Sequence, residues 1–162
     1  MRTLAASLIA VALTLNAQQT AGAIDPPAGA HAILETHGER VQIYTCDGTK
    51  WTFKAPDAKL LDASGKVIGS HSTGPTWTLA DGGRVQGELV AGEPALEARS
   101  IPWLLLRAKP GSSTGSLASV AFIRRTETHG GVAPTPGCQG ASDAGKTAQV
   151  PYTATYTFYS QP

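Results

Sequence analysis

Hydrophobic and polar residues alternate with a period of two along most of this chain, which is the period of a half-buried β-strand. The alternation is cleanest over residues 152–159, where aromatic or apolar residues and threonines take turns. Turn-forming combinations of glycine with aspartate, serine or proline recur about every eight to twelve residues, a spacing typical of β-sandwiches and β-barrels. The pattern therefore predicts short strands joined by tight turns.

The first hairpin shows how the pattern assigns faces. Residues 39–46 and 49–55 alternate on either side of Asp47-Gly48, a strong signal for a hairpin turn. In the second strand a tryptophan and Phe53 alternate with lysines. We therefore predict a hairpin with one apolar face and one lysine-bearing face, whose second strand ends at Pro56-Asp57.

The same reasoning places further strands along the rest of the chain. They are predicted over residues 59–62, 66–71, 76–79, 84–90, 101–109, 116–126 and 152–159. Residues 103–106 are continuously apolar, which favours a strand that is buried on both faces. No segment has a convincing helical period, and residues 93–99 are the best candidate for one turn. We predict an all-β chain, a single antiparallel barrel or sandwich of about 8–10 short strands with at most one short helical turn.

The first residues have the features of an export signal. A basic residue precedes an apolar run over residues 4–15, and small residues follow, so that signal peptidase could cut after Ala17 or after Ala23. The run is shorter than the ~20 residues that span a bilayer, and no later segment approaches that length. We predict a signal peptide over residues 1–23 and a single β domain over residues 24–162. The protein is expected to be exported, to the periplasm or the extracellular space.

Charge content limits the classes of possible partner, and cysteine content bears on the redox state of the chain. The 13 basic and 12 acidic side chains nearly cancel, and no basic patch stands out, so we expect neither nucleic acid nor an anionic membrane surface as a partner. Cys46 and Cys138 are the two cysteines, and in an oxidising compartment we expect them to pair. The alternative is two free thiols, but no base lies near Cys138 in the sequence to make it a nucleophile.

Residues 69–77 are the most informative stretch for function. They bring His71, three hydroxyl side chains, a Gly-Pro break and Trp77 together within nine positions. One interpretation is a loop at the mouth of a barrel or sandwich, with His71 and Trp77 lining a pocket. The other is a structural corner, with a hydrogen-bonded histidine and a tryptophan in the core. Trp103 and His129 complete the set of candidate ligand-binding residues.

Enzymatic chemistry remains an alternative. His71 and His129 would suit a hydrolase or a metal-dependent enzyme if the fold brought them together. However, no local metal-ligand spacing, nucleophile elbow or distinctive carboxylate pair is present. Residues 140–147 match the phosphate-binding pattern G-x-x-x-x-G-K-[ST] but lack a preceding strand and a following helix, so we do not expect nucleotide binding. We assign no catalytic residue, no metal and no cofactor.

Several motifs resemble those of a known family. They are Tyr44-Thr-Cys46-Asp-Gly48, Gly69-Ser-His71, Gly74-Pro-Thr-Trp77, Ile101-Pro-Trp-Leu-Leu-Leu106 and Pro136-Gly-Cys138. Together they resemble an uncharacterised family of secreted bacterial and fungal proteins, a domain of unknown function, over about residues 32–159. The resemblance implies a shared fold and export and supplies no activity.

A weaker similarity links the lysine-bearing hairpin to small periplasmic lysozyme-inhibitor barrels, and it is an analogy of fold that does not transfer function. It leaves inhibition of a cell-wall enzyme as a further alternative. The leading hypothesis is an exported, non-catalytic binding module for an unknown small molecule or for a surface or protein partner.

Overall fold

The strands wind in chain order into a closed antiparallel barrel. The computed structural model describes residues 22–161, so the predicted signal peptide lies outside the described residues except for its last two positions. The strands are β1 (Ala32–Cys46), β2 (Trp51–Leu61), β3 (Val67–Ser72), β4 (Thr76–Leu79), β5 (Arg84–Glu93), β6 (Trp103–Ala108), β7 (Val120–Gly130) and β8 (Thr147–Ser160). Each strand pairs with the next, and β1 pairs with β8 to close the sheet. The predicted all-β antiparallel fold is confirmed, and of the two predicted architectures it is the barrel.

Helical structure in residues 22–161 is confined to two single 3₁₀ turns, Gly115–Leu117 and Ala141–Asp143. The turn predicted over residues 93–99 is wrong, because Glu93 pairs with Trp103 and thereby extends β5 through the residue where the helical turn would begin. No helix within the described range has the length and apolar character to cross a membrane.

Strand β2 is longer than the sequence pattern predicts. It continues through Pro56-Asp57 and includes the segment that was predicted as a separate strand over residues 59–62. A proline is tolerated in a strand where its missing N–H leaves no ladder bond unmade. Pairing of β2 with β3 begins only at Ala58, so Pro56 has a strand neighbour on one side, at Gln42.

The assignment of faces in the first hairpin is also wrong in part. The buried residues of β1 at this end are Gln42, Tyr44 and Cys46, whereas Phe53 is 58% exposed. The cause is a β-bulge, because Ile43 pairs with Ala55 while Tyr44 pairs with Phe53. The extra residue in β2 is Lys54, and a bulge of this kind brings consecutive side chains towards the same side.

The core fills the barrel interior with side chains from every strand. A continuous inward row crosses four strands, since Ala58 pairs with His71, His71 with Trp77, and Trp77 with Val85. All four of these residues are buried. The ring of Tyr156 also lies inside, against Gly38, where a Cβ atom would approach the ring to 2.5 Å. Glycine at this position is therefore required by the close approach of β1 to a large aromatic side chain.

Strand β6 is buried on both faces, as its continuous apolar sequence predicts. Leu105 and Leu106 are consecutive, so they point to opposite faces of the sheet, and both are buried. Outside the barrel, the N-terminal segment contributes a buried Ile24, and Asp25 forms an ion pair with Arg124 on β7.

The predicted disulfide between Cys46 and Cys138 is confirmed. It joins the end of β1 to the long connection between β7 and β8. In an up-and-down barrel alternate connections share one end, so residues 47–50, 73–75, 94–102 and 131–146 lie together. We refer to this end as the disulfide end.

Removing this disulfide should destabilise the barrel. The bond closes a loop of 92 residues, which restricts the unfolded chain, and native disulfides of this kind contribute about 2–5 kcal/mol. We expect the double variant Cys46→Ala, Cys138→Ala to lose that amount in urea unfolding. Wild-type protein unfolded under reducing conditions should show the same loss. A change of less than about 1 kcal/mol would contradict this account.

Candidate ligand cavity inside the barrel

A cavity of about 130 Å³ lies inside the barrel towards its disulfide end. Its walls come from β1, β2, β3, β4, β6, β7 and β8 and from the turn between β3 and β4. The lining residues are Gln42, Phe53, Lys54, Ala55, Pro56, His71, Gly74, Pro75, Trp77, Leu104, Leu106, Arg125 and Tyr156. One wall is apolar and aromatic, and polar side chains converge from the other strands, which is the usual composition of a small-molecule site.

His71 and Trp77 reach the cavity because a tight hairpin places them opposite each other. They pair across β3 and β4, and Gly74 supplies the positive φ of 76° that the intervening turn needs. The imidazole stacks on the indole at 4.3 Å between ring centroids, with 11° between the ring planes. The stretch predicted from the sequence as the functional segment thus forms both a structural corner and part of a cavity wall.

The tautomer of His71 follows from its hydrogen bond. Nδ1 lies 3.0 Å from the carbonyl oxygen of Thr76, which can only accept, so Nδ1 carries the proton and Nε2 is an acceptor. Burial lowers the pKa of His71 to about 3; the bond to Thr76 opposes this shift and the charge of Arg125 adds to it. His71 is therefore a neutral side chain near neutral pH.

Two side chains that line the cavity carry a buried N–H nitrogen with no hydrogen-bond partner among the described residues. They are Gln42, through Nε2, and Trp77, through Nε1. Both side chains are almost fully buried, and both nitrogens are closed to water in this structure. An unsatisfied buried donor costs about 1–3 kcal/mol, so an acceptor that reached either nitrogen would be favoured.

Three tyrosines form hydrogen bonds near the disulfide end of the barrel. The hydroxyls of Tyr152 and Tyr156 lie 3.1 Å apart, and the hydroxyl of Tyr44 donates to the carbonyl oxygen of Gly131 at 2.6 Å. Burial raises the pKa of all three phenols. They therefore remain protonated and supply hydroxyl groups rather than bases.

Arg125 and Lys54 also line the cavity, although the sequence pattern places Lys54 on the lysine-bearing face of the first hairpin. Arg125 follows the fully buried Ile123 by two positions, and alternation along β7 turns it inward. Lys54 reaches the cavity through the β-bulge. The inward orientation of Arg125 could have been inferred from the apolar residue two positions earlier, whereas the bulge leaves no signal in the sequence.

The structure divides the predicted site residues. His71 and Trp77 line the cavity, while Trp103 does not, because its neighbours Leu104 and Leu106 supply that part of the wall. His129 is exposed on the outside of the barrel, where its ring contacts Glu97. It borders an open surface depression of about 790 Å³, separate from the cavity.

The histidines therefore do not form a joint centre. Within the described residues, no group of three or more His, Cys, Asp or Glu side chains has the geometry to hold a metal ion. A metal-dependent or hydrolytic site that uses His71 together with His129 has no support in this arrangement. Ligand binding by the four predicted residues remains a prediction.

The phosphate-binding pattern at residues 140–147 has no helix behind it. A single 3₁₀ turn occupies Ala141–Asp143, and β8 begins at Thr147. Lys146 instead forms an ion pair with Asp143. The pattern lacks the helix N-terminus that would direct backbone N–H groups at a phosphate, as the flanking sequence predicts.

Comparison with known proteins identifies a family. The model of the family described as "Protein of unknown function (DUF3455)" matches residues 27–160, a range that includes every strand of the barrel. Neither the curated proteins nor the solved structures contain a match to this chain.

The depressed pKa of His71 should make stability depend on pH. Unfolded histidine takes up a proton as pH falls below its ordinary pKa of 6.5, whereas folded His71 does so only near 3. The contribution of His71 is therefore complete above 6.5 and is lost as pH falls through this window, by up to ~1.4 kcal/mol per pH unit.

The check is urea unfolding of wild type and His71→Gln between about pH 4.5 and about pH 7. Carboxylates titrate in both proteins, so the difference between the two curves reports His71 alone. The free energy of unfolding should fall less steeply with decreasing pH in the variant, by a slope equivalent to nearly one proton. Parallel curves would mean that His71 is solvated in the folded state.

Proposed function

The chain belongs to this family of proteins of unknown function, and we propose that it is an exported, non-catalytic binding module for a small molecule. The ligand occupies the cavity between His71 and Trp77. The observation that carries this proposal is that two side chains lining one cavity carry buried N–H donors without protein acceptors. A ligand oxygen that reached these nitrogens would satisfy them.

The size of the cavity favours a small molecule over a protein partner. An engineered cavity of about 150 Å³ in another protein binds benzene, so about 130 Å³ accommodates a ligand of only a few heavy atoms. An eight-stranded barrel has an interior just wide enough for side chains or one small ligand. A peptide strand or a protein surface is too large for this cavity and would have to bind elsewhere on the molecule.

The electrostatics favour binding over acid–base catalysis. A general acid or base works best with a pKa near the operating pH. The pKa of His71 lies far below that range, and burial raises the pKa of Tyr152 and Tyr156 above it. The neutral imidazole instead offers a fixed acceptor, and the indole of Trp77 offers an apolar wall with one donor.

Nuclear magnetic resonance spectroscopy can locate binding in this cavity. The purified protein is titrated with butyrate, butyramide and butan-1-ol, with the indole N–H signals as reporters. We expect at least one compound to shift the signal of Trp77. The indole of Trp51 donates to the carbonyl of Pro136 outside the cavity and serves as the internal control. Shifts confined to Trp51, or no shifts at all, would refute the proposal.

Replacing Gln42 by leucine should separate stability from binding. Gln42→Leu removes an unpartnered buried amide and keeps a similar volume, so the free energy of unfolding should rise by about 1 kcal/mol. The affinity for the bound compound should fall in the same variant. Urea unfolding and the same titration measure the two effects.

Gln149→Leu is the matched control, because Gln149 is an exposed residue of β8 and its replacement should change neither quantity. A lower stability of Gln42→Leu would show that the amide has a structural role, and the observation that carries the proposed function would be lost.

A further inference from the structure

We propose that the ligand class is small monocarboxylates with a short apolar body, bound with the carboxylate at Arg125 and Lys54. This inference rests on the proposed function and specifies the chemistry of the same cavity. It draws on the charge of the cavity lining, the fixed position of one guanidinium, the unpartnered N–H groups and the size of the apolar wall.

The lining of the cavity carries two basic side chains and no carboxylate. Neither Lys54 nor Arg125 forms an ion pair within the described part of the chain, whereas the neighbouring Arg124 pairs with Asp25. Two adjacent arginines of β7 therefore differ: the outward one is neutralised by a carboxylate of the protein, and the inward one is not. An anion is the chemical group that complements the unpaired cations of the cavity lining.

The guanidinium of Arg125 is held in place before any ligand binds. Its Nε and Nη2 atoms donate to the carbonyl oxygen of Pro102 at 3.1 and 2.7 Å. This pair of bonds uses one edge of the planar group and leaves the N–H groups of Nη1 available. Arg125 pairs with Tyr156 across β7 and β8, and both residues line the cavity together with His71.

Gln42 and Trp77 add buried N–H groups without protein partners to the two cations among the lining residues. The lining also offers acceptors, because Nε2 of His71 and the amide oxygen of Gln42 accept hydrogen bonds. A carboxylate offers two oxygens that only accept, so it complements the cations and the N–H groups. An ammonium would place like charges together.

The remaining wall sets the size of the ligand body. Leu104, Leu106 and the stacked face of Trp77 give an apolar surface, and the cavity of about 130 Å³ admits a short chain or a small ring. An inorganic anion would satisfy the cations but leave this surface without contacts. The two properties together select a monocarboxylate with a short hydrocarbon part.

The test compares compounds of matched shape and different charge. Calorimetry measures the affinity of the purified protein for butyrate, butyramide, butylamine and inorganic phosphate. A parallel nuclear magnetic resonance titration uses the indole N–H signal of Trp77 to report where each compound binds. We expect butyrate to bind at least about tenfold more tightly than butyramide, because charge-assisted hydrogen bonds are about twice as strong as neutral ones. Butylamine and phosphate should bind more weakly still.

Variants with matched controls assign the carboxylate contact. Arg125→Gln should weaken butyrate by at least about tenfold and leave the affinity for butyramide within about twofold. Arg124→Gln removes the same charge from the outer face of β7 and should leave both affinities unchanged. Lys54→Gln should weaken butyrate alone, whereas Lys59→Gln, an exposed position of the same strand, should not. Urea unfolding confirms that each variant is folded.

The outcomes separate this inference from the proposed function. The carboxylate inference would be overturned if butyramide or butan-1-ol shifted the Trp77 signal as strongly as butyrate and Arg125→Gln had no effect. The proposal of a binding module would then still stand. The absence of any Trp77 shift with every compound would overturn both. Equal weakening of butyrate by Arg124→Gln and Arg125→Gln would show only a general charge effect and would also refute the assignment.

Discussion

The pairing of β1 with β8 is the constraint on which the rest of the molecule depends. The two strands run side by side from Ala32 to Thr45, opposite Tyr159 to Thr147, and their ladder closes the sheet on itself. Closure removes the exposed edges that an open sheet would present. It also forces each side chain of a strand to point either into a narrow interior or out to solvent. Where the alternation is regular, the position of a residue in it therefore tells whether its side chain lies inside or outside the barrel.

The narrow interior explains why glycines stand beside the largest side chains. The ring of Tyr156 fits because Gly38 has no Cβ, and a Cβ on Gly87 would lie 3.2 Å from the indole of Trp77. Larger residues there would overpack the interior and force the rings from their positions. The same rings define the cavity, so the packing that stabilises the barrel also fixes the shape of the site.

The sequence predicts the fold class well because strand alternation and glycine-rich turns are local signals. It predicts His71 and Trp77 as neighbours for the same reason, since a short hairpin fixes their pairing. It misses Lys54 because a bulge depends on how two strands fit together, and it misses Gln42 because amides are usually exposed. His129 and Trp103 were grouped with the site by residue type. Alternation in β6 directs Trp103 away from the cavity, and a register shift between Thr126 and His129 in β7 turns the histidine outward.

The first hairpin supplies Gln42 and residues 53–56 to the cavity wall. The connection between β7 and β8 is tied to this hairpin by the disulfide, by the bond from Trp51 to Pro136 and by the bond from Tyr44 to Gly131. A mobile hairpin would have to be ordered when a ligand binds, and that cost would reduce the affinity.

With these three cross-links the hairpin is already ordered when the barrel folds, and the disulfide offsets the entropic cost of that ordering by restricting the unfolded chain. A ligand of a few heavy atoms offers few contacts, so a rigid cavity wall is needed for measurable binding.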